Sequence, residues 1–305
     1  MSKLLFYTDL QLDGKTPRHR VDNYQAALLA KVQETYTLAE ENDCIAVIFG
    51  GDFFNAHRIF NYDIISDVIG IISGSSLLTY GIMGQHDLKG YNPKSYAKST
   101  MAFVVKHCPS FQIIWKPVDL NGATLYACHV WDDFDEICQQ EIEKSDCSIL
   151  IAHKLLTPDS MPFEIICTKD IKVCPFDIVL SGDLHTGFTT HTANGTVFCN
   201  PGSIARQTTK DLNRIPKVAI IDTETKEIES ISLKDLSPGE EVFGEEAIKG
   251  VREMAKMNHD SFIDPIAKFE AESIDIFELV QKVGREKGVR KEVMEFILSR
   301  KTSQQ

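Results

Sequence analysis

The chain has 305 residues, 43% of them hydrophobic and 25% charged, with a net charge of −12. That balance excludes a disordered or fibrous chain, which lacks the apolar content to bury a core. No apolar run approaches the ~18 residues of a membrane span, and the N-terminal run is too short for a signal peptide, so a cytoplasmic protein without a membrane partner is expected.

Taken in chain order, "KLLFYTD" reads as a strand running into Asp9, with Gln11 two residues on. "RVDNYQAALLAKVQETYTLAEEN" spaces Ala27, Leu28, Lys31, Val32 and Leu38 as a helix does. "CIAVIFGGD" is a second strand, ending at Asp52, and "NYDIISDVIGIISG" a second helix. "LLTYGIMG" then leads into Gln85, His86 and Asp87. "ATLYACHV" ends beside His129, which is read as structural, "CSILIAHK" runs into His153, and "FDIVLSGD" into Asp183 with His185 following. "TVFCNPG" and "KVAIIDT" complete eight strands.

Beyond about residue 240 the pattern becomes helical, with Ile276, Val280 and Val283 on one stripe and Val289, Val293, Phe296 and Ile297 on another. Residues 245–305 hold 12 acidic and 11 basic side chains, so nearly all the net charge lies in residues 1–244. The expected division is a domain over 1–240 and a helical appendage over 241–305. Eight cysteines occur without a Cys-x-x-Cys pair and read as buried free thiols.

Five strands end in Asp9, Asp52, Gln85-His86-Asp87, His153 and Asp183-x-His185, all of metal-ligand type. Loops at strand carboxyl ends are where layered α/β proteins bind ligands. A carboxylate shared between two cations, with imidazoles and carbonyls completing each shell, builds a two-metal centre that clamps a phosphate and activates water. Mixed oxygen and nitrogen donors suit manganese, iron or zinc better than calcium. The net charge of −12 repels nucleic acid at long range unless basic groups or ions are concentrated where it docks. Two basic clusters, one at Lys15, Arg18, His19 and Arg20 and one at Arg206, Lys210 and Arg214, admit two readings: rims that contact phosphates, or ordinary solvated surface.

The ordered blocks "TDLQLD", "GGDFF", "GQHD", "AHK" and "SGDLHTG" resemble the calcineurin-like metallophosphoesterase family over residues 4 to about 222. "RVDNYQAALLAKV", "IFGGDFFN", "FCNPGSIARQT" and "KVAIIDT" are most similar to SbcD-type DNA repair exonucleases. The resemblance implies an α/β fold, a two-layer β-sandwich flanked by helices with a C-terminal helical appendage. It also implies metal-dependent phosphodiester hydrolysis of DNA, by exonuclease or endonuclease action, docking of an SbcC-type ATPase subunit on the appendage, and admits a homodimer. By position, Asp9, Gln11 and His185 would hold one divalent metal ion, and Gln85, His153 and Asp183 a second, with Asp52 bridging. His86 would be the catalytic histidine and Asp87 its orienting partner.

Three positions depart from the family pattern: Gln11 and Asp183 stand where it has His, and Gln85 where it has Asn. The loss of imidazoles and the added carboxylate shift the expected pair of ions toward manganese or magnesium rather than zinc. The competing readings are a phosphatase or cyclic-nucleotide phosphodiesterase for small substrates, and an inactive adaptor for the ATPase.

Overall fold

The segment KLLFY at residues 3–7 is apolar on both faces of a strand, and the fold buries both. Leu4 and Phe6 point into a core between two sheets, while Leu5 and Tyr7 point outward under a helical layer. The computed structural model describes residues 2–159, 165–234 and 236–249. Its elements are β1 (Lys3–Tyr7), α1 (Tyr24–Glu41), β2 (Cys44–Phe49), α2 (Tyr62–Gly74), β3 (Leu78–Gly81), α3 (Thr100–His107), β4 (Phe111–Ile113), β5 (Val118–Leu120), β6 (Ala123–Cys128), α4 (Phe134–Cys138), β7 (Cys147–Ala152), β8 (Leu156–Thr157), β9 (Ile166–Cys167), β10 (Ile178–Ser181), β11 (Phe188–Ala193), β12 (Thr196–Asn200), β13 (Lys217–Asp222) and β14 (Ile228–Ser232).

Two six-stranded sheets form, ordered β14-β13-β1-β2-β3-β4 and β11-β12-β10-β7-β6-β5, with β8 and β9 pairing apart. In the first, β1 through β4 run parallel; in the second, β6, β7, β10 and β12 do. Between the sheets lie Leu4, Phe6, Ile48, Leu125, Ile149 and Leu180. Outside the first sheet, Tyr7, Val47 and Phe49 meet Leu28 and Val32 of α1, Val68 of α2 and Met101 of α3. Outside the second, Leu150 and Val179 meet Phe134 and Cys138 of α4 and Phe176. The architecture is the expected mixed α/β arrangement of two sheets with flanking helices.

Asn23 and Asn61 start α1 and α2 by accepting from the amides of Ala26 and Ile64, which meets orphan donors of each first turn. All eight cysteines are free, six of them buried. The chain divides into two units, Met1–Ile248 and Lys249–Gln305. The first therefore extends past residue 240: Val21 N donates to Val242 O and Gly244 N to His19 O. From residue 250 on, the expected helical appendage lies outside the described residues. No helix among the described residues is long and apolar enough to cross a membrane.

Candidate metal centre

The parallel strands carry their polar ends to one side. Asp9 follows β1, Asp52 follows β2, Gln85 to Asp87 follow β3, His153 follows β7, and Asp183 and His185 follow β10. Four of these residues adopt left-handed backbone: Asp9 at φ 52°, Gln11 at 47°, Asp52 at 56° and Asp183 at 72°. Such geometry costs on the order of 1–3 kcal/mol per residue and persists only where the surroundings over-determine it. Here they do, because Asp9 N donates to Gly51 O, Gln11 N to Asp52 O and Leu12 N to Phe53 O. Two glycines are required by close approach. A Cβ at Gly84 would lie inside the Asp52 carboxylate, and one at Gly51, itself at φ 99°, would overlap the His153 ring.

All nine residues named from the sequence are brought into one connected cluster. Asp9 Oδ1 is 3.5 Å from His185 Nε2, whose ring is 2.8 Å from Gln11 Nε2. Asp183 N donates to Asp9 Oδ2, and Gln85 Nε2 donates to Asp183 Oδ1 at 2.7 Å. Asp52 Oδ2 is 3.5 Å from His153 Nε2 and 3.8 Å from His86 Nε2. Ligand atoms of Asp9, Asp52 and His153 all lie within 4.8 Å of one another.

The carboxylates of Asp9 and Asp52 are completely buried, and the His153 ring lies beside them. Burial depresses the affinity of the His153 imidazole for a proton, but Asp52, then Asp9 and Asp183, outweigh it and raise its pKa to about 10. His153 Nδ1 donates to Gly50 O at 2.7 Å, which fixes Nε2 as the atom facing Asp52. Seven buried polar side-chain atoms among the described residues lack a hydrogen-bond partner. Four belong to this cluster: Asp9 Oδ1, Asp52 Oδ2, Gln85 Oε1 and His153 Nε2. Three of these are acceptor oxygens, and buried oxygens without a hydrogen bond at this density are costly unless a cation completes them. The donor set therefore fits divalent metal ions, with three carboxylates, two amides and two imidazoles offering oxygen and nitrogen.

The structure corrects one expected role. Asp87 does not orient the His86 ring. Its Oδ2 accepts from Asp52 N and Gly84 N, and its Oδ1 from Phe53 N and Phe54 N, so it clamps the Asp52 loop to the Gln85 loop. His86 is instead oriented by the Asn55 carbonyl, 3.0 Å from its Nδ1, and by its own amide, which donates to Asp52 Oδ1. Its side chain is 42% exposed. Sequence reasoning missed this oriented carbonyl because a backbone oxygen has no side-chain signature. It also missed Thr8, whose hydroxyl donates to Asp9 Oδ2, and Ser203 of the PGS turn, whose hydroxyl donates to Asp9 O.

His129 is structural, as expected. Its Nδ1 accepts from Met83 N and its Nε2 donates to Ile114 O. Three arginines of the basic clusters, Arg20, Arg206 and Arg214, are not a phosphate rim, whereas Arg18 is exposed. Arg20 and Arg206 are buried, and their guanidinium groups, with that of Arg214, bond Asp22, Asp211 and the backbone carbonyls of Ser203, Ala205, Arg206 and Leu212. They knit the turn after β12 to the chain near Phe243.

No protein-family model matches the sequence, and no curated protein matches it. Solved structures do match. TT1561 of Thermus thermophilus aligns with a TM-score of 0.50 at 12% identity, covering 76% of this chain and 99% of that one. YfcE, a phosphoesterase from E. coli, aligns at 0.38 and 13% identity, covering 76% and 100%. A dimetal phosphatase from Danio rerio aligns at 0.46 and 8% identity, covering 76% and 99%. The likeness is one of fold: two multi-strand sheets with helices.

Proposed function

We propose that the chain is a metal-dependent phosphodiester hydrolase acting on DNA, the nuclease subunit of an SbcCD-type complex. The observation that carries the reading is the convergence of four buried, unpartnered donor atoms, Asp9 Oδ1, Asp52 Oδ2, Gln85 Oε1 and His153 Nε2, at the ends of β1, β2 and β3 of the first sheet and β7 of the second. Ligand atoms of Asp52 lie within 4.8 Å of those of Asp9 and His153, so Asp52 would bridge two ions, one held by Asp9, Gln11 and His185 and the other by Gln85, His153 and Asp183. Those ions, when bound, supply Lewis-acid charge at the phosphoryl oxygens and lower the pKa of a water nucleophile. The protein holds the carboxylates in place through the Asp87 clamp and the Thr8 hydroxyl. His86, half-exposed and held through Nδ1, presents Nε2 to the leaving oxygen and protonates it.

DNA as substrate is supported by the blocks "RVDNYQAALLAKV", "IFGGDFFN", "FCNPGSIARQT" and "KVAIIDT", the third of which holds the PGS turn that is tied to Asp9 through Ser203. Docking of an SbcC-type ATPase through residues 241–305 belongs to the same reading. The test is hydrolysis of DNA and of bis(p-nitrophenyl) phosphate with manganese, each against Asp52→Ala. Manganese-dependent cleavage of both that Asp52→Ala abolishes is the expected result. Activity surviving Asp52→Ala removes the metal-centre reading, and cleavage of the small diester alone assigns a small-substrate phosphodiesterase instead.

A further inference from the structure

Although the chain carries a net charge of −12, residues 88–118 contain five lysines and no aspartate or glutamate, and residues 53–62 contain Arg58 and no acidic residue. Both segments leave the ligand loops, the first directly after the His86 loop and the second directly after Asp52. The structure ties them together. Arg58 Nε donates to Lys98 O, Thr100 N to His57 O, and Ile59 N to Thr100 Oγ1. The Tyr96 ring meets Trp115 at 5.2 Å, edge to face. Lys89, Lys94, Lys98 and Lys116 are all exposed, and among the described residues no carboxylate pairs with them.

Large aromatic side chains alternate with these cations. Tyr91 is 63% exposed and held at φ 59°, and Trp115 is 54% exposed. Non-glycine residues at positive φ are uncommon, and a strained, outward tyrosine calls for a partner that uses it. Trp115 is not isolated either. His129 stacks on Trp131 at 4.5 Å and 15°, and Trp115 lies 5.2 Å from His129. His129 joins this aromatic wall to the catalytic loop by accepting from Met83 N and donating to Ile114 O. Beside the wall lies a cavity of about 490 Å³, lined by Trp115, His129 and Trp131 together with Asp132, Asp133 and Glu136. The carboxylates repel a phosphate but accept the N–H groups of a neutral ring.

We infer that this face binds single-stranded DNA, with phosphates on Lys89, Lys94, Lys98 and Arg58 and a splayed base stacked on Trp115 at the mouth of the cavity. The inference rests on the nuclease reading and adds where and in what form the polymer enters. Lysines alone would serve a duplex equally well. Exposed rings interleaved with them favour a strand whose bases are unpaired, because stacking on aromatic side chains binds any base but needs its π-face free.

The test is fluorescence anisotropy of the full chain with labelled (dT)20, a blunt duplex of the same length and (U)20, in EDTA so that neither metal nor cleavage is involved. The expected result is that (dT)20 binds more tightly than the duplex or (U)20. Trp115→Ala should weaken (dT)20 binding by roughly 5- to 100-fold, as loss of one stacked base does, while Trp115→Phe restores most of it. Replacing Lys89, Lys94 and Lys98 together by alanine should lower the salt slope of binding by about 2, at ~0.7 per phosphate contact on a single strand. Equal binding of strand and duplex, indifference to Trp115→Ala, or tighter binding of (U)20 overturns the inference. Hydrolysis of bis(p-nitrophenyl) phosphate by the same variants separates the two readings. Strand binding without hydrolysis leaves this surface standing and removes the enzyme, whereas hydrolysis without Trp115-dependent strand binding does the reverse.

Discussion

His153 Nε2 lies 3.5 Å from Asp52 Oδ2, both side chains are buried, and neither atom has a hydrogen-bond partner. A chain that left them so would carry a standing desolvation cost, since a buried carboxylate oxygen without a hydrogen bond is expensive even where its partner oxygen has one. A cation between Asp52 and its neighbours removes that cost. Manganese should therefore raise the melting temperature of the wild type reversibly with EDTA. At a hundredfold excess over Kd the gain is about 2.7 kcal/mol, or roughly 5–10 °C for a protein of this size. Asp52→Asn should remain folded and lose the shift. An equal shift in the variant would show that manganese binds elsewhere.

Gln11 carries the weakest donor of the cluster and sits 2.8 Å from His185. Its φ of 47° is one that histidine tolerates better than most side chains. Gln11→His should replace a weakly donating amide by an imidazole and tighten zinc binding on the order of tenfold relative to manganese, because nitrogen donors favour the softer ion. Competition titration with a chromogenic chelator measures both affinities. An unchanged zinc-to-manganese ratio would place Gln11 outside the ligand set.

His86 makes no demand on metal binding, since its Nδ1 faces Asn55 O and its Nε2 is 3.8 Å from Asp52. The leaving-group protonation proposed for it predicts a dependence on the leaving group. With DNA, whose leaving alkoxide needs a proton, His86→Ala should lower kcat by about 10²- to 10⁴-fold. With bis(p-nitrophenyl) phosphate, whose leaving phenolate is stable without one, the loss should be much smaller. Equal losses on both substrates would assign His86 to binding or to ordering the loop.

What the sequence made legible, and what it hid, follows strand position. The eight strands read from it are the eight interior ones, where both faces are covered and the segment is nearly continuously apolar, as in "CSILIA". The unread strands include β14, β4, β11 and β5, the four sheet edges. There FTTHTA and IESIS alternate with polar residues, and FQI and VDL are only three residues long. The ligand residues were legible because side chains of metal-binding type stand at strand ends. The Asp87 clamp was not, because its partners are four backbone amides. Likewise the buried arginines looked like surface, since burial of a cation depends on carbonyls supplied by distant turns.

Lys31 is the buried cation whose consequence is most measurable. It lies on α1, 3% exposed, donating to Ile204 O at 3.0 Å, with Arg20, Arg206 and Arg214 nearby. Burial first, and those three arginines next, lower its pKa from 10.5 to about 7. Between pH 7 and 10.5 the unfolded chain then binds a proton that the folded chain does not, so stability rises with pH across that window. Below pH 7 both states are protonated and the folded state bears the full cost of the buried charge; above 10.5 both are neutral and the cost vanishes. Lys31→Met removes the titrating group at nearly constant shape. It should stabilise the protein at pH 6 by an amount on the order of a few kcal/mol. That advantage should shrink as pH climbs past 7 and disappear near 10.5, where only the lost hydrogen bond to Ile204 O, worth about 1 kcal/mol, remains against it. Urea denaturation of both proteins at pH 6, 8 and 10 reads the difference directly. A gap that does not change with pH would show that Lys31 keeps an ordinary affinity for its proton.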